Sequence, residues 1–97
     1  MKQLSSEEAY QRLAENPDWV VERNCIYRDF RLKDFKTAIE FIGDIAEIAD
    51  KLSHHPNILL HEYHVLRITS YTHLVNGISD MDIDLAVAID RFLDESS

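Results

Sequence analysis

Glycine and proline are scarce in this chain, with two of each in 97 residues. That excludes a collagenous, low-complexity or loop-dominated architecture and leaves regular elements joined by short turns. Cysteine is almost missing. Cys25 alone cannot close an internal disulfide, which excludes a disulfide-stapled scaffold and fits a reducing, cytoplasmic setting. Positive charge is in short supply: ten Lys and Arg against 18 Asp and Glu leave a net charge of −8. Phosphate contacts need clustered cations, so neither a nucleic-acid surface nor docking on anionic lipid is expected. No apolar run approaches the roughly 20 residues that span a bilayer. MKQLSSEEAY, at the start, lacks the apolar centre of a signal peptide.

What is present is ordinary globular composition, 45% hydrophobic and 29% charged, so one domain over residues 1–97 is expected. A domain of this size is only marginally stable, and self-association would be a natural way to bury more apolar surface.

The patterning predicts helix, two strands, helix, two strands, helix. Ser5 with Glu8 three residues later forms a capping box that starts a helix over 5–15, and Asn16-Pro17-Asp18 ends it. Strands are predicted over 19–22 and 25–32, the second with Ile26, Phe30 and Leu32 on one face and Arg28 interrupting it. The longest helix is predicted over 34–52, capped by Asp34. Its stripe is Phe35, Ala38, Ile39, Ile42, Ala46, Ala49 and Leu52, widened by Phe41, Ile45 and Ile48. A stripe this broad suggests burial against a sheet and against a second subunit. Two more strands follow over 58–63 and 65–72, with no Asn-Gly or Asp-Gly between them. Asn76-Gly77 signals a turn, and Ser79 caps a last helix over 80–94 with the stripe Met81, Leu85, Ile89 and Phe92. Strands joined in adjacent pairs favour an antiparallel sheet, so the fold class is α+β: a two-layer domain, four strands with helices packed on one face.

The chemistry rests on five histidines. A metal site is not expected, because one cysteine offers little to zinc and His61 and His64, three apart on a strand, face opposite ways. Those two read as structural. His54 and His55 differ, for they sit side by side in SHHPN, after a long helix and before Pro56, which stiffens the turn. Loops held on rigid scaffolds commonly carry function. His73 lies at a strand end that a sheet can bring beside that loop. Three imidazoles in one pocket supply an acid and a base near neutral pH. Tyr27, Tyr63 and Tyr71 read as packing residues that could also stack on a flat ligand, and Trp19 as core or interface. Cys25 reads as a small apolar group. Asp80, Asp82 and Asp84 lack the glycine and terminal glutamate of a calcium loop and read as helix-start charges.

HHP (54–56), Tyr63, TH (72–73), NGIS (76–79) and Asp82 together resemble the pterin-4a-carbinolamine dehydratases, as do Trp19 and the run from Tyr27 to Pro56. The resemblance implies a four-stranded α+β domain that assembles as a homodimer or homotetramer. It implies loss of water from 4a-hydroxytetrahydrobiopterin to give quinonoid dihydrobiopterin, with no metal or organic cofactor. It implies a catalytic set of His54, His55 and His73, with His54 and His73 as acid–base groups and His55 orienting substrate or sharing proton transfer. Asp50, Ser53, Pro56, Thr72 and Asp82 would line the substrate, Asp82 fixing a histidine's orientation or charge. Many members carry Glu where Asp50 stands, and Ile58 or Leu59 replaces a common aromatic. The animal branch also binds a homeodomain transcription factor, so a non-catalytic pterin-binding or protein-interaction module is the competing reading.

Overall fold

The computed structural model describes residues 1–96. In chain order it contains α1 (Ser6–Arg12), β1 (Val20–Val21), β2 (Ile26–Arg31), α2 (Phe35–Leu52), β3 (Asn57–His61), β4 (Val65–Ser70), a 3-10 turn (His73–Val75) and α3 (Asp80–Ser96). The α+β order expected from the sequence is the order found.

The first helix begins as its capping box dictates. Ser5 Oγ accepts from the Glu8 N–H at 3.0 Å, and Glu8 Oε1 accepts from the Ser5 N–H at 2.9 Å. It stops at Arg12, three residues short of the expected end. Leu13 turns out of helical geometry to enter the core, and Asn16, the residue before Pro17, closes the turn by donating to the Leu13 carbonyl.

The sheet order is β1-β2-β4-β3, with every neighbouring pair antiparallel. Strand β4 therefore lies between β2 and β3, and α2 crosses from one side of it to the other. Register puts Phe30 opposite Leu66, Arg28 opposite Ile68 and Ile26 opposite Ser70. Ile26, Leu66 and Ile68 are fully buried on the inner face. Ser70 follows Leu66 and Ile68 on the inner face of β4 as its polar member, and it faces the site described below.

Arg28 breaks the apolar alternation because α3 supplies its partner. Its Nη1 donates to Asp90 Oδ1 at 2.7 Å while the guanidinium lies 4.5 Å from the Phe30 ring centroid. The same Asp90 carboxylate accepts from Trp19 Nε1 and Asn16 Nδ2. One carboxylate thus ties α3 to β2 and to the segment before β1.

On α2 the stripe is rotated from its expected phase. Ala38, Phe41, Ile45 and Ala49 are buried, whereas Phe35, Ile39, Ala46 and Leu52 are exposed. The apolar residues cover so much of the helix that spacing alone could not say which edge meets the sheet. The β3–β4 connection is the turn Glu62–His64, in which Glu62 and Tyr63 both have positive φ, 49° and 57°. The two strands end earlier than expected, at His61 and Ser70, and no glycine marked that turn.

Candidate active site

Helix α2 ends in a way that delivers His54. Ser53 adopts the left-handed conformation (φ 53°, ψ 38°). Its N–H donates to the Asp50 carbonyl, and the His54 N–H donates to the Ala49 carbonyl at 3.1 Å. This pair of bonds is the Schellman closure, with Ser at the position glycine usually takes and Pro56 shortly after. The chain reverses within one residue, and the next side chain turns back against the sheet and the start of α3.

There His54 meets Asp82. The carboxylate is wholly buried and 2.6 Å from His54 Nε2, whose side chain is 11% exposed. Asp82 Oδ1 also accepts from Ser70 Oγ at 2.5 Å, and Oδ2 accepts from Thr72 Oγ1 at 2.8 Å and the Ser79 N–H at 2.9 Å. Ser79 also caps α3, its Oγ accepting from the Met81 N–H. Thr72 spends its hydrogen on Asp82, so Ser79 Oγ must donate to Thr72 Oγ1 at 2.7 Å. The donors run one way, from the Met81 amide through Ser79 and Thr72 to the carboxylate. Four donors converge on Asp82, which is what an acceptor-only carboxylate can satisfy. His54 therefore carries its proton on Nε2, and Nδ1 is its basic nitrogen when the ring is neutral.

The other two histidines have different partners. His55 Nε2 lies 2.8 Å from Asp50 Oδ1, one turn back along α2, and both side chains are mostly exposed. His73 opens the 3-10 turn after β4, with Nε2 3.0 Å from the Tyr71 hydroxyl and the two rings 4.6 Å apart in a T-shaped contact. All three imidazoles line one cleft of about 450 Å³ with Ser53, Thr72 and Tyr71, walled on its apolar side by Met1, Leu74 and Met81. That size suits a small fused heterocycle.

Of the residues expected to line a substrate, Ser53 and Thr72 border the cleft, although the Thr72 hydroxyl is already committed. Asp50 stands behind His55 and Asp82 behind His54, each reaching the cleft through its imidazole. Pro56 is half-buried outside the lining. His61 and His64 lie elsewhere, His61 beside Glu62 and His64 Nδ1 on the Glu62 carbonyl. Ser70 and Ser79 completed the Asp82 cradle unannounced. The signal for Ser70 was its place on an otherwise apolar face, and for Ser79 the Ser-x-x-Asp spacing. Burial pushes the Cys25 thiol up, helped by the nearby Glu22 and Asp82 charges, so it is not an activated nucleophile. A larger polar cleft of about 620 Å³, beside α1 and Arg23-Asn24, contains no histidine. Among the described residues no helix is long and apolar enough to cross a membrane, and no three His, Cys, Asp or Glu side chains gather to hold a metal ion.

Comparison with known proteins converges on one family. The family described as Pterin 4 alpha carbinolamine dehydratase matches residues 2–92. A protein of Chloroflexus aggregans named "Putative pterin-4-alpha-carbinolamine dehydratase" is 42% identical over 94 residues, 96% of this chain and 99% of that protein. The crystal structure of a transcriptional coactivator/pterin dehydratase from Brucella melitensis superposes with a TM-score of 0.82 at 34% identity, over 93% of this chain and 97% of that one. A pterin dehydratase-like RuBisCO assembly factor of the alpha-carboxysome, at 15% identity, shares the fold alone, with a TM-score of 0.60 over 75% of this chain and 83% of its own.

Proposed function

This chain belongs to the pterin-4-alpha-carbinolamine dehydratase family, and on that premise we propose that it removes water from 4a-hydroxytetrahydrobiopterin by histidine acid–base catalysis, in pterin recycling. The observation that carries the reading is the convergence of His54, His55 and His73 on one cleft, with His54 anchored by a buried carboxylate. The reaction needs little else. The C4a–O bond breaks and the hydroxyl leaves as water after taking one proton. N5 loses its proton to a base, and its electron pair forms the C4a=N5 double bond. The change is redox-neutral, so histidines holding and moving protons supply what it requires, each worth about 10²–10⁴-fold.

His54, with Nε2 committed to Asp82, offers Nδ1 as the base. His73 stands across the cleft as the partner group, and His55, exposed and tied to Asp50, orients substrate. Ser53 and Thr72 border the bound ring. The test follows freshly generated 4a-hydroxytetrahydropterin by its ultraviolet decay with and without the protein. Acceleration that disappears in His54→Ala is the expected result. No acceleration by folded protein would refute the activity and favour the interaction-module reading.

One observation supports that second reading and an assembly alike. Phe35, Ile39 and Leu52 are 55%, 47% and 39% exposed along α2. A homodimer or homotetramer would cover this stripe, and so would a helical partner. Light scattering of the purified chain distinguishes them, a monomer opposing self-association.

A further inference from the structure

The three imidazoles of the cleft are not held alike. His54 and His55 face carboxylates, which only accept, so in each ring the nitrogen on that side keeps its proton. His73 faces a phenol, and a hydroxyl can donate or accept. A phenol is a far stronger acid than the N–H of a neutral imidazole. Between Tyr71 and neutral His73 the phenol is therefore the donor and Nε2 the acceptor. The proton of neutral His73 then sits on Nδ1, the reverse of His54 and His55.

We propose that Tyr71 is a positioning residue that sets the tautomer of His73, making it the one imidazole of the cleft whose neutral form carries its proton on Nδ1. When His73 becomes an imidazolium, Nε2–H donates to the same phenol oxygen, and the ring keeps its partner. Tyr71 thus holds His73 in one place through both protonation states, and the T-shaped ring contact at 4.6 Å keeps the two side chains together. The cleft consequently offers two imidazoles with bare Nδ1 lone pairs and one with an Nδ1–H. That is the complement needed by a substrate presenting a departing hydroxyl oxygen and an acidic N–H. The use made of this tautomer rests on the dehydratase reading; the tautomer itself does not.

The experiment compares the wild-type chain with Tyr71→Phe, which keeps the ring and removes only the hydroxyl. Two-bond ¹H–¹⁵N correlation spectra are recorded at about pH 8.5, above the usual histidine range, with His73 assigned by its loss in His73→Gln. The wild type should show His73 with Nδ1 protonated and Nε2 bare. In Tyr71→Phe that pattern should give way to a tautomer mixture, while His54 and His55 stay unchanged. In the dehydration assay kcat should fall about two- to tenfold, the weight of one neutral hydrogen bond, with KM little moved. An unchanged His73 pattern overturns the proposal, as does an unchanged kcat in an active enzyme. A wild type without activity whose spectra still respond to Tyr71→Phe supports the tautomer assignment and refutes the proposed reaction instead.

Discussion

Replacing Asp82 by asparagine changes one atom of the carboxylate and should nonetheless disable His54. The geometry dictates which way the new amide points. Oδ2 accepts from the Ser79 N–H, a backbone group that can never accept, so the amide nitrogen cannot take that place. It must take the place of Oδ1, facing Ser70 Oγ and His54 Nε2. The Ser70 hydroxyl can rotate to accept. His54 can accept only by surrendering its Nε2 proton, which moves to Nδ1 and leaves no base for the cleft. The stability cost is that of weakening charge-assisted bonds at a buried group, about 1–3 kcal/mol. Against a domain stability of at least about 5 kcal/mol, roughly 2 kcal/mol remains and the variant is still about 97% folded. Unfolding would then remove only a few per cent of activity, whereas a base in the wrong tautomer should cost about 10²–10⁴-fold. Urea denaturation, the ultraviolet dehydration assay and the His54 ¹⁵N pattern measure the three effects separately. A folded Asp82→Asn protein with near-normal turnover, or with Nε2 of His54 still protonated, would refute the reasoning.

Three other outcomes follow from the same geometry. His54→Ala and His73→Ala should each cut dehydration sharply and leave the chain folded, with only His54→Ala melting lower because buried Asp82 loses a donor, while His61→Ala changes neither activity nor melting; equal losses of activity from all three would dissolve the assigned roles. Glu62→Asn combined with Tyr63→Gly should raise stability by about 1 kcal/mol in a urea titration, because both positions demand positive φ. A loss there would mean that the Tyr63–His64 ring contact outweighs backbone strain. Asp29 is held below the usual carboxylate range by hydrogen bonds from Arg67, Asp34 by the Thr37 N–H and Glu8 by the Ser5 N–H. The folded state binds these protons less readily than the unfolded chain, so their contribution is whole above about pH 4.5 and lost as pH falls through the depressed values. Arg67→Met should flatten the Asp29 part of that acid limb in pH-dependent melts, and an unchanged limb would show the pair to be inert.

Element order was legible because capping boxes and two-residue alternation are local signals. Ser5-x-x-Glu8 marked α1, and Asp34 marked α2 through its bond to the Thr37 N–H. The phase of α2 was not legible, since Phe35 and Phe41 are equally apolar and only the sheet decides which is covered. Arg28 looked like a defect in β2 because its partner Asp90 lies 62 residues away. In the site, adjacency and Pro56 singled out the two neighbouring histidines from the order of residues alone, but a place for Asp82 beside a histidine came from family resemblance, and only the fold shows that histidine to be His54. Ser70 and the Tyr71 hydroxyl escaped notice because their partners are fixed by register and turn geometry, which a single sequence does not display.

The placement of β4 has a consequence for the order of events during synthesis. Strands β2 and β3 are both complete before β4 exists, yet β3 has no neighbour in the sheet, and β2 only the two-residue β1, until residues 65–70 arrive between them. His54 likewise waits for Asp82, which follows it by 28 residues. Sheet closure and completion of the proposed site thus both wait for the last third of the chain, and both rest on long-range pairings that form slowly. A nascent chain halted after β3 would present two unpaired inner edges and a His54 without its carboxylate anchor.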